Sequence, residues 1–271
     1  MRSTPKVSVI VPAYNAEKFI GDAVASILKQ DFYDFELLVI DDFSSDSTAE
    51  IVQKLQKSDS RIRLIRNTRN LGVGGTRAVG VDNARGEFIA WMDADDVSEP
   101  RRLSSQIAVL EKDVEIGVVG GFIQFFENGE LGKIRRYATD DESLRSRIFR
   151  QNPVAFPAAT FRSSVYEVIG NFENLRQCED LEILLRVGTR FKFANVNEVL
   201  VRYRTVESSL TITNLRKMEL LAISLRLRYR KNAAYRFGFF DWLFLVGQTL
   251  TLWMPARFRV WAYSVIRGDR K

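Results

Sequence analysis

The chain has 271 residues, 46% hydrophobic and 27% charged, enough for one large α/β domain, or for one domain plus an appendage. It contains no histidine and one cysteine, Cys178. That excludes Ser-His-Asp and Cys-His catalysis, histidine-bound zinc, and any disulfide framework or multi-cysteine zinc site. A general base working near neutral pH is then most simply a carboxylate. A metal must be held by oxygen ligands, which favours Mg²⁺ or Mn²⁺. The net charge of +6 is unevenly placed: residues 201–271 carry 14 Lys and Arg against 4 Asp and Glu, a net of +10, so the preceding 200 residues are net −4. A basic end on an acidic body points to an anionic surface as partner. Residues 1–6 hold no apolar run, so no signal peptide is expected, and the lone cysteine fits a reducing compartment.

In chain order, 7–11 (VSVIV) is a continuous apolar, β-branched run, as expected of a buried parallel strand, ended by Pro12, Ala13, Tyr14 and Asn15. Residues 17–30 set Phe19, Ile20, Val24, Ile27 and Leu28 at helical spacing. A second strand over 35–40 stops at Asp41 and Asp42, and 48–55 reads as a helix behind the cap-rich stretch 44–48. A short strand is predicted over 62–65, a glycine-led helix over 72–84, and a fourth strand over 87–92, stopped by Asp93, Ala94, Asp95 and Asp96. Alternating strands and helices predict a parallel sheet with right-handed crossovers. Ligands bind such sheets beyond the carboxyl ends of the strands. The polar clusters at Tyr14-Asn15, Asp41-Asp42 and 93–96 are therefore expected on one edge. Later elements are a helix over 101–110, a strand over 117–126, helices over 140–149 and 179–187, and a last core strand over 199–204. From Asn214 the chain turns helical, basic and aromatic.

Four constellations carry possible chemistry. Asp93, Asp95 and Asp96 lie within four residues and repel one another unless a hard divalent cation joins them; a solvated turn capping the next helix is the alternative. Asp42, at a strand end, can accept hydrogen bonds from a base or ribose, whereas Asp46 and Thr48 read first as helix caps. The run 70–77 misses the G-x-G-x-x-G pattern, because the third glycine position is Arg77. A glycine-led helix start with an arginine nevertheless suits phosphate, against the alternative of a plain loop-to-helix turn. Glu179 and Asp180 open a helix either as dipole compensation or, for Asp180, as a carboxylate able to take a proton. In the tail, 225–231 interleaves arginine with aliphatics, and the 19 residues 237–255 include Phe239, Phe240, Trp242, Phe244 and Trp253. Asp241, Gln248, Thr249 and Thr251 interrupt that stretch, and a span needs about 20 apolar residues. Helices lying in a membrane interface are therefore expected, with docking on the domain or a homodimer contact as alternatives.

In their order and spacing, 7–15 (VSVIVPAYN), 40–48 (IDDFSSDST), 70–86, 92–96 (MDADD), 170–172 (GNF), 179–186 (EDLEILLR) and Tyr203-Arg204 resemble the family 2 glycosyltransferases of the GT-A fold. The resemblance runs from Val7 to about Ser209. It implies an α/β nucleotide-diphospho-sugar transferase fold, with a mostly parallel central sheet flanked by helices and a C-terminal helical extension. The implied units are a catalytic domain over 1–209, with its nucleotide half at about 1–97 and its acceptor half at 98–209, and a basic aromatic tail over 210–271. By position, Pro12, Ala13, Tyr14, Glu17, Asp42, Arg77 and Asp93 would hold the nucleotide. Asp93, Asp95 and Asp96 would hold Mn²⁺ or Mg²⁺, Asp180 would be the catalytic base, and Glu179 and Arg204 would lie on the acceptor side.

The implied reaction is an inverting transfer from a nucleotide-diphospho-sugar, a UDP-sugar first among donors, to a hydroxyl of a glycan or lipid-linked acceptor. The setting is cell-surface polysaccharide or lipopolysaccharide synthesis at the inner face of the cell membrane, bound peripherally. Two departures stand out: the histidine that often follows Tyr-Arg reads Val206, and the Arg-Asn pair after the glycine loop reads Arg77-Ala78. A metal-dependent nucleotidyltransferase and a catalytically decayed sugar-nucleotide-binding module remain the alternatives. No nucleic-acid motif is present.

Overall fold

A computed structural model describes residues 4–173, 175–205 and 215–254. The first half is the expected strand-helix alternation: β1 (Val7–Ala13), α1 (Ile20–Leu28), β2 (Phe35–Asp41), α2 (Thr48–Ser58), β3 (Ile62–Arg66), α3 (Gly72–Asn83) and β4 (Phe88–Trp91). These four strands are parallel, with Val7 opposite both Phe35 and Phe88. They read as apolar runs because each faces two cores. Val9, Val11, Leu37 and Val39 pack with Ile20, Val24 and Ile27 of α1, while Ile10, Leu38, Ile40, Ile89 and Trp91 belong to the core on the other face.

The second half comprises β5 (Val97–Ser98), α4 (Arg102–Lys112), β6 (Ile116–Glu127), β7 (Glu130–Arg135), α5 (Asp141–Arg145), a single 3-10 turn (Phe156–Ala158), β8 (Thr160–Arg162), α6 (Ser163–Ile169), α7 (Glu179–Val187) and β9 (Lys192–Arg204). The sheet runs β3-β2-β1-β4-β8-β6-β9-β5, with β7 paired to β6. Beyond β4 it is mixed: β8 is antiparallel to β4 and β6, β9 is parallel to β6, and β5 is antiparallel to β9. The helix expected over 140–149 stops at Arg145, where Arg147 and Ile148 bond three residues back rather than four. The last core strand begins at Lys192, not at 199, because Asn195, Asn197 and Glu198 break its apolar run.

Two further helices follow, α8 (Leu215–Tyr229) and α9 (Phe239–Thr251). α8 packs on α7, the Tyr229 hydroxyl donating to Glu182 Oε1 at 3.1 Å. The loop after it is tied down by Tyr235, whose hydroxyl donates to the Leu185 carbonyl at 2.5 Å. α8 thus docks on the domain, the alternative to the expected membrane interface, while α9 buries Asp241, Leu245 and Gln248 and leaves its other face exposed. Among the described residues no helix is long and apolar enough to cross a membrane. Val206 and the end of the 237–255 stretch lie outside the described residues.

Candidate active site

The expected convergence on one sheet edge is present. β1, β2 and β4 are adjacent and parallel; Ala13 and Asp41 end side by side, and β4 ends with Trp91 opposite Ile10, so that the 93–96 loop leaves on the same edge. The loops after β1 and β2 are stitched together. The Asp42 N–H donates to the Ala13 carbonyl at 2.8 Å, Ala16 N–H to Thr48 Oγ1 at 2.8 Å, Glu17 N–H to Asp46 Oδ2 at 3.0 Å, and Ser47 N–H to Glu17 Oε2 at 3.1 Å. Asp46 also takes the Thr48 N–H at the start of α2, the capping contact expected of it. Tyr14 is left half exposed beside this wall.

Asp42 serves the glycine loop. Its Oδ1 accepts from Leu71 N–H at 2.8 Å and Asn67 Nδ2 at 2.9 Å, and its Oδ2 accepts from Gly72 N–H at 2.9 Å. At Leu71 and Gly72, then, the anion at the start of α3 is the chain's own carboxylate. The glycines answer a packing need as well. Gly72 has φ +75°, and a Cβ on Gly74 would collide with the Leu175 carbonyl oxygen. Gly74→Ala should cost about 1–3 kcal/mol in urea unfolding, because the contact is backbone and cannot swing aside. An unchanged midpoint would contradict that packing.

At the end of β4, the fully buried Arg102 donates Nη2 to the Trp91 carbonyl at 2.5 Å and Nε to Gln106 Oε1 at 3.2 Å. The 93–96 loop is gripped from β9. Arg204 donates its N–H to Asp96 Oδ1 at 2.9 Å and its Nε to the Asp95 carbonyl at 2.8 Å. Its guanidinium is sandwiched between Phe19 and Phe126 at 4.6 and 4.4 Å. Arg204, expected on the acceptor side, is therefore a strut for the aspartate loop. Asp96, expected as a metal ligand, is buried against β9, with Oδ2 lacking a partner.

Arg77 is the keystone of the site. Almost wholly buried, it donates Nη1 to Glu179 Oε1 at 2.5 Å and Nη2 to Asp93 Oδ1 at 3.3 Å, and stacks over Phe156 at 4.2 Å. One guanidinium thereby joins α3, the 93–96 loop and the first turn of α7. Cys178, with φ +57°, turns the chain so that Glu179 and Asp180 open α7. Asp180 accepts from Leu181 N–H at 2.8 Å and from Asn152 Nδ2 at 3.0 Å. Arg77, Asp93, Glu179 and Asp180 line one cleft of about 420 Å³ with Asn152, Tyr203 and Phe156. Pro12, Ala13, Tyr14, Glu17 and Asp42 sit on the neighbouring strand tips, outside that lining.

The cleft, and the 93–96 loop beside it whose Asp95 and Asp96 lie outside its lining, are hostile to unpaired negative charge. Burial pushes Asp93 up, Arg77 opposing and Asp180 adding to the shift. Burial, then repulsion from Asp93, lifts Asp95 to about 6. Burial lifts Glu179 to about 7 against the pull of Arg77. Burial, then Asp93 and Asp95, raises Asp96 well above the carboxylate range. Asp93 and Asp95 offer the hard oxygen donors that a divalent cation takes, while the buried Asp96 is held by the Arg204 N–H. Among the described residues no three acidic or thiol side chains are grouped so that together they could hold a metal ion. The fit is to an ion held by one or two carboxylates, whose shell is completed by water and phosphate. Sequence reading missed Asn152 and Arg102, because irregular segments and long-range pairings leave no periodic signal, and it named Tyr203 only as part of a motif, without a place in the cleft.

The fold is that of the GT-A glycosyltransferases. The chain belongs to glycosyl transferase family 2, whose family model matches residues 8–170. An uncharacterised glycosyltransferase of Haemophilus influenzae is 32% identical over 216 residues, 75% of this chain and 67% of that one. WfgD of Escherichia coli, a UDP-Glc:α-D-GlcNAc-diphosphoundecaprenol β-1,3-glucosyltransferase, is 40% identical over 127 residues, covering 47% of this chain and 49% of its own. Staphylococcus aureus TarS in complex with UDP superposes with a TM-score of 0.70 at 22% identity, over 93% of this chain and 73% of that one. The Pyrobaculum calidifontis mannosyltransferase PcManGT, in complex with GDP-Man and Mn²⁺, gives 0.64 at 17% identity over 99% and 87%. Both structures match in fold.

Proposed function

We propose that this family 2 glycosyltransferase moves a sugar, with inversion, from a nucleotide-diphospho-sugar to a hydroxyl of a lipid-linked or cell-surface glycan. The observation that carries this reading is the meeting of Arg77, Asp93 and Asp180, drawn from three elements, around one cleft at the carboxyl edge of the sheet. Tyr14, Glu17 and Asp42 would frame the nucleotide, with Pro12 and Ala13 as the strand tip beneath it. Asp93 and Asp95 would hold Mn²⁺ or Mg²⁺, with Asp96 behind them. When bound there, the ion supplies positive charge for the departing diphosphate.

Asp180 takes the acceptor proton. The Leu181 N–H and the Asn152 amide hold its two oxygens, fixing the carboxylate towards the cleft. Direct attack by the acceptor hydroxyl inverts the sugar carbon. WfgD, with its UDP-glucose donor and diphospholipid acceptor, supports this choice of substrate classes. The catalytic unit would cover 1–209 and the tail 210–271. Asp95→Ala should weaken Mn²⁺-dependent UDP binding by about tenfold or more, measured by calorimetry with and without chelator. Unchanged affinity would remove the metal site.

The tail supports a membrane-surface location. Phe239, Trp242, Leu243, Val246, Leu250 and Trp253 recur at helical spacing and are 48–81% exposed, so α9 turns an apolar stripe outward. Exposed Arg216 lies over the Trp253 ring at 5.1 Å, and Arg228 and Arg236 are also exposed in the tail. Such a helix lies in the interface of an anionic bilayer. Vesicles of phosphatidylcholine and phosphatidylglycerol should retain the protein, less so as salt rises, and Trp242→Ser/Leu250→Ser should release it. Equal retention of that variant would exclude the stripe.

A further inference from the structure

We propose that Arg150 and Arg226 form a phosphate-binding subsite for the acceptor, recognising a phosphate carried by the sugar whose hydroxyl Asp180 deprotonates. This rests on the transferase reading of the cleft. Charge comes first. Five arginines, Arg77, Arg135, Arg150, Arg176 and Arg226, line the cleft with three carboxylates, Asp93, Glu179 and Asp180, of which Arg77 pairs with the first two. A cleft so lined concentrates anions.

The second observation is how two of these arginines are aimed. α9 is built inside out, its apolar stripe outward and its buried Asp241 and Gln248 inward, seven residues apart on one face. Asp241 Oδ1 accepts from Arg150 Nε at 2.8 Å, and Gln248 Oε1 accepts from Arg226 Nη1 at 3.0 Å. Arg150 spends its Nη2 on the Ser146 carbonyl, which leaves its Nη1 for a ligand, and Arg226 stacks over Phe244 at 5.4 Å. Planar guanidinium forks fixed in this way match phosphate oxygens.

The third is spacing. Arg150 lies two residues from Asn152, which holds Asp180 Oδ2 at 3.0 Å. Two residues span at most about 7 Å of backbone. That suits a reacting hydroxyl and an anomeric phosphate on a single sugar ring. The helix that would meet the bilayer therefore also sets the groups that grip a lipid-linked phosphate.

The phosphate in question could instead be the donor's diphosphate, and calorimetry on the whole chain separates the two. Citronellyl diphosphate should bind in the presence of EDTA, and citronellol should not. Arg150→Gln and Arg226→Gln should each weaken that binding by at least about tenfold, the worth of one charge-assisted hydrogen bond, with UDP–Mn²⁺ affinity kept. Arg150, about a third exposed, is the variant least at risk of misfolding, and Arg226→Lys is the second choice for the buried site. The proposal fails if citronellyl diphosphate needs Mn²⁺ and is displaced by UDP, or if both glutamine variants bind it like wild type. It fails too if citronellol binds equally well. Loss of UDP–Mn²⁺ binding in the wild type, with EDTA-resistant prenyl diphosphate binding intact, would overturn the transferase reading and leave the arginine subsite standing.

Discussion

Asp180→Asn is expected to lower kcat by about 10²- to 10⁴-fold while leaving UDP–Mn²⁺ affinity near wild type, the range for losing a general base. The substitution is nearly isosteric. The amide oxygen can still accept the Leu181 N–H, and the Asn152 carboxamide can flip to meet the new amide nitrogen. Geometry is kept and proton affinity is lost. With no histidine anywhere in the chain, no imidazole can substitute. Asn152→Ala should give a smaller kcat loss, since it removes only an orienting contact. Turnover of Asp180→Asn within a few-fold of wild type would remove Asp180 as the base.

Arg77→Met should have the largest effect on stability, about 3–5 kcal/mol in urea unfolding, the usual result of leaving a buried ion-pair partner alone. Arg77 and Glu179 are 6% and 9% exposed in their side chains, so solvent cannot take over the missing charge. Glu179 already sits at about 7 in the fold through burial, above its ordinary 4.5. A raised folded pKa means that protonation favours the fold, so stability is gained as pH falls from 7 towards 4.5. Without Arg77 the rise is larger, and the deficit of Arg77→Met should shrink over that window. The double variant Arg77→Met/Glu179→Gln should recover part of the loss. A deficit independent of pH and unrelieved by Glu179→Gln would contradict the pairing.

The first four strands and three helices are legible in the sequence because a sheet covered on both faces needs continuous apolar runs, and polar stops mark where they end. The aspartates at the tips of β2 and β4 follow from the same logic. Short or locally polar elements are not legible this way: β5 has two residues, β8 three, and the first half of β9 alternates asparagine with apolar residues. β7 was within reach, because Asn128-Gly129, with φ +50° and +88°, is the strongest short hairpin signal and sits between β6 and β7.

Roles are harder to read than positions. A carboxylate is visible in sequence, but the donors that occupy it are not. Asp42 on the glycine loop and Asp96 on the Arg204 N–H both depend on contacts 25 or more residues away. The inside-out orientation of α9 is hidden for a similar reason. Periodicity reveals an apolar stripe but not which face of the helix docks, and here the docked face is polar, with Asp241 and Gln248 held by Arg150 and Arg226.

The central claim is that Asp93 and Asp95 anchor a metal–nucleotide complex beside Asp180. The most direct measurement is a crystal structure with UDP and Mn²⁺, located by the anomalous signal of manganese. The expected result is manganese bonded to an oxygen of Asp93 or Asp95 and to the diphosphate, with the open end of the cleft at Asp180. Nucleotide bound away from the 93–96 loop, or manganese absent from these carboxylates at saturating concentration, would contradict it.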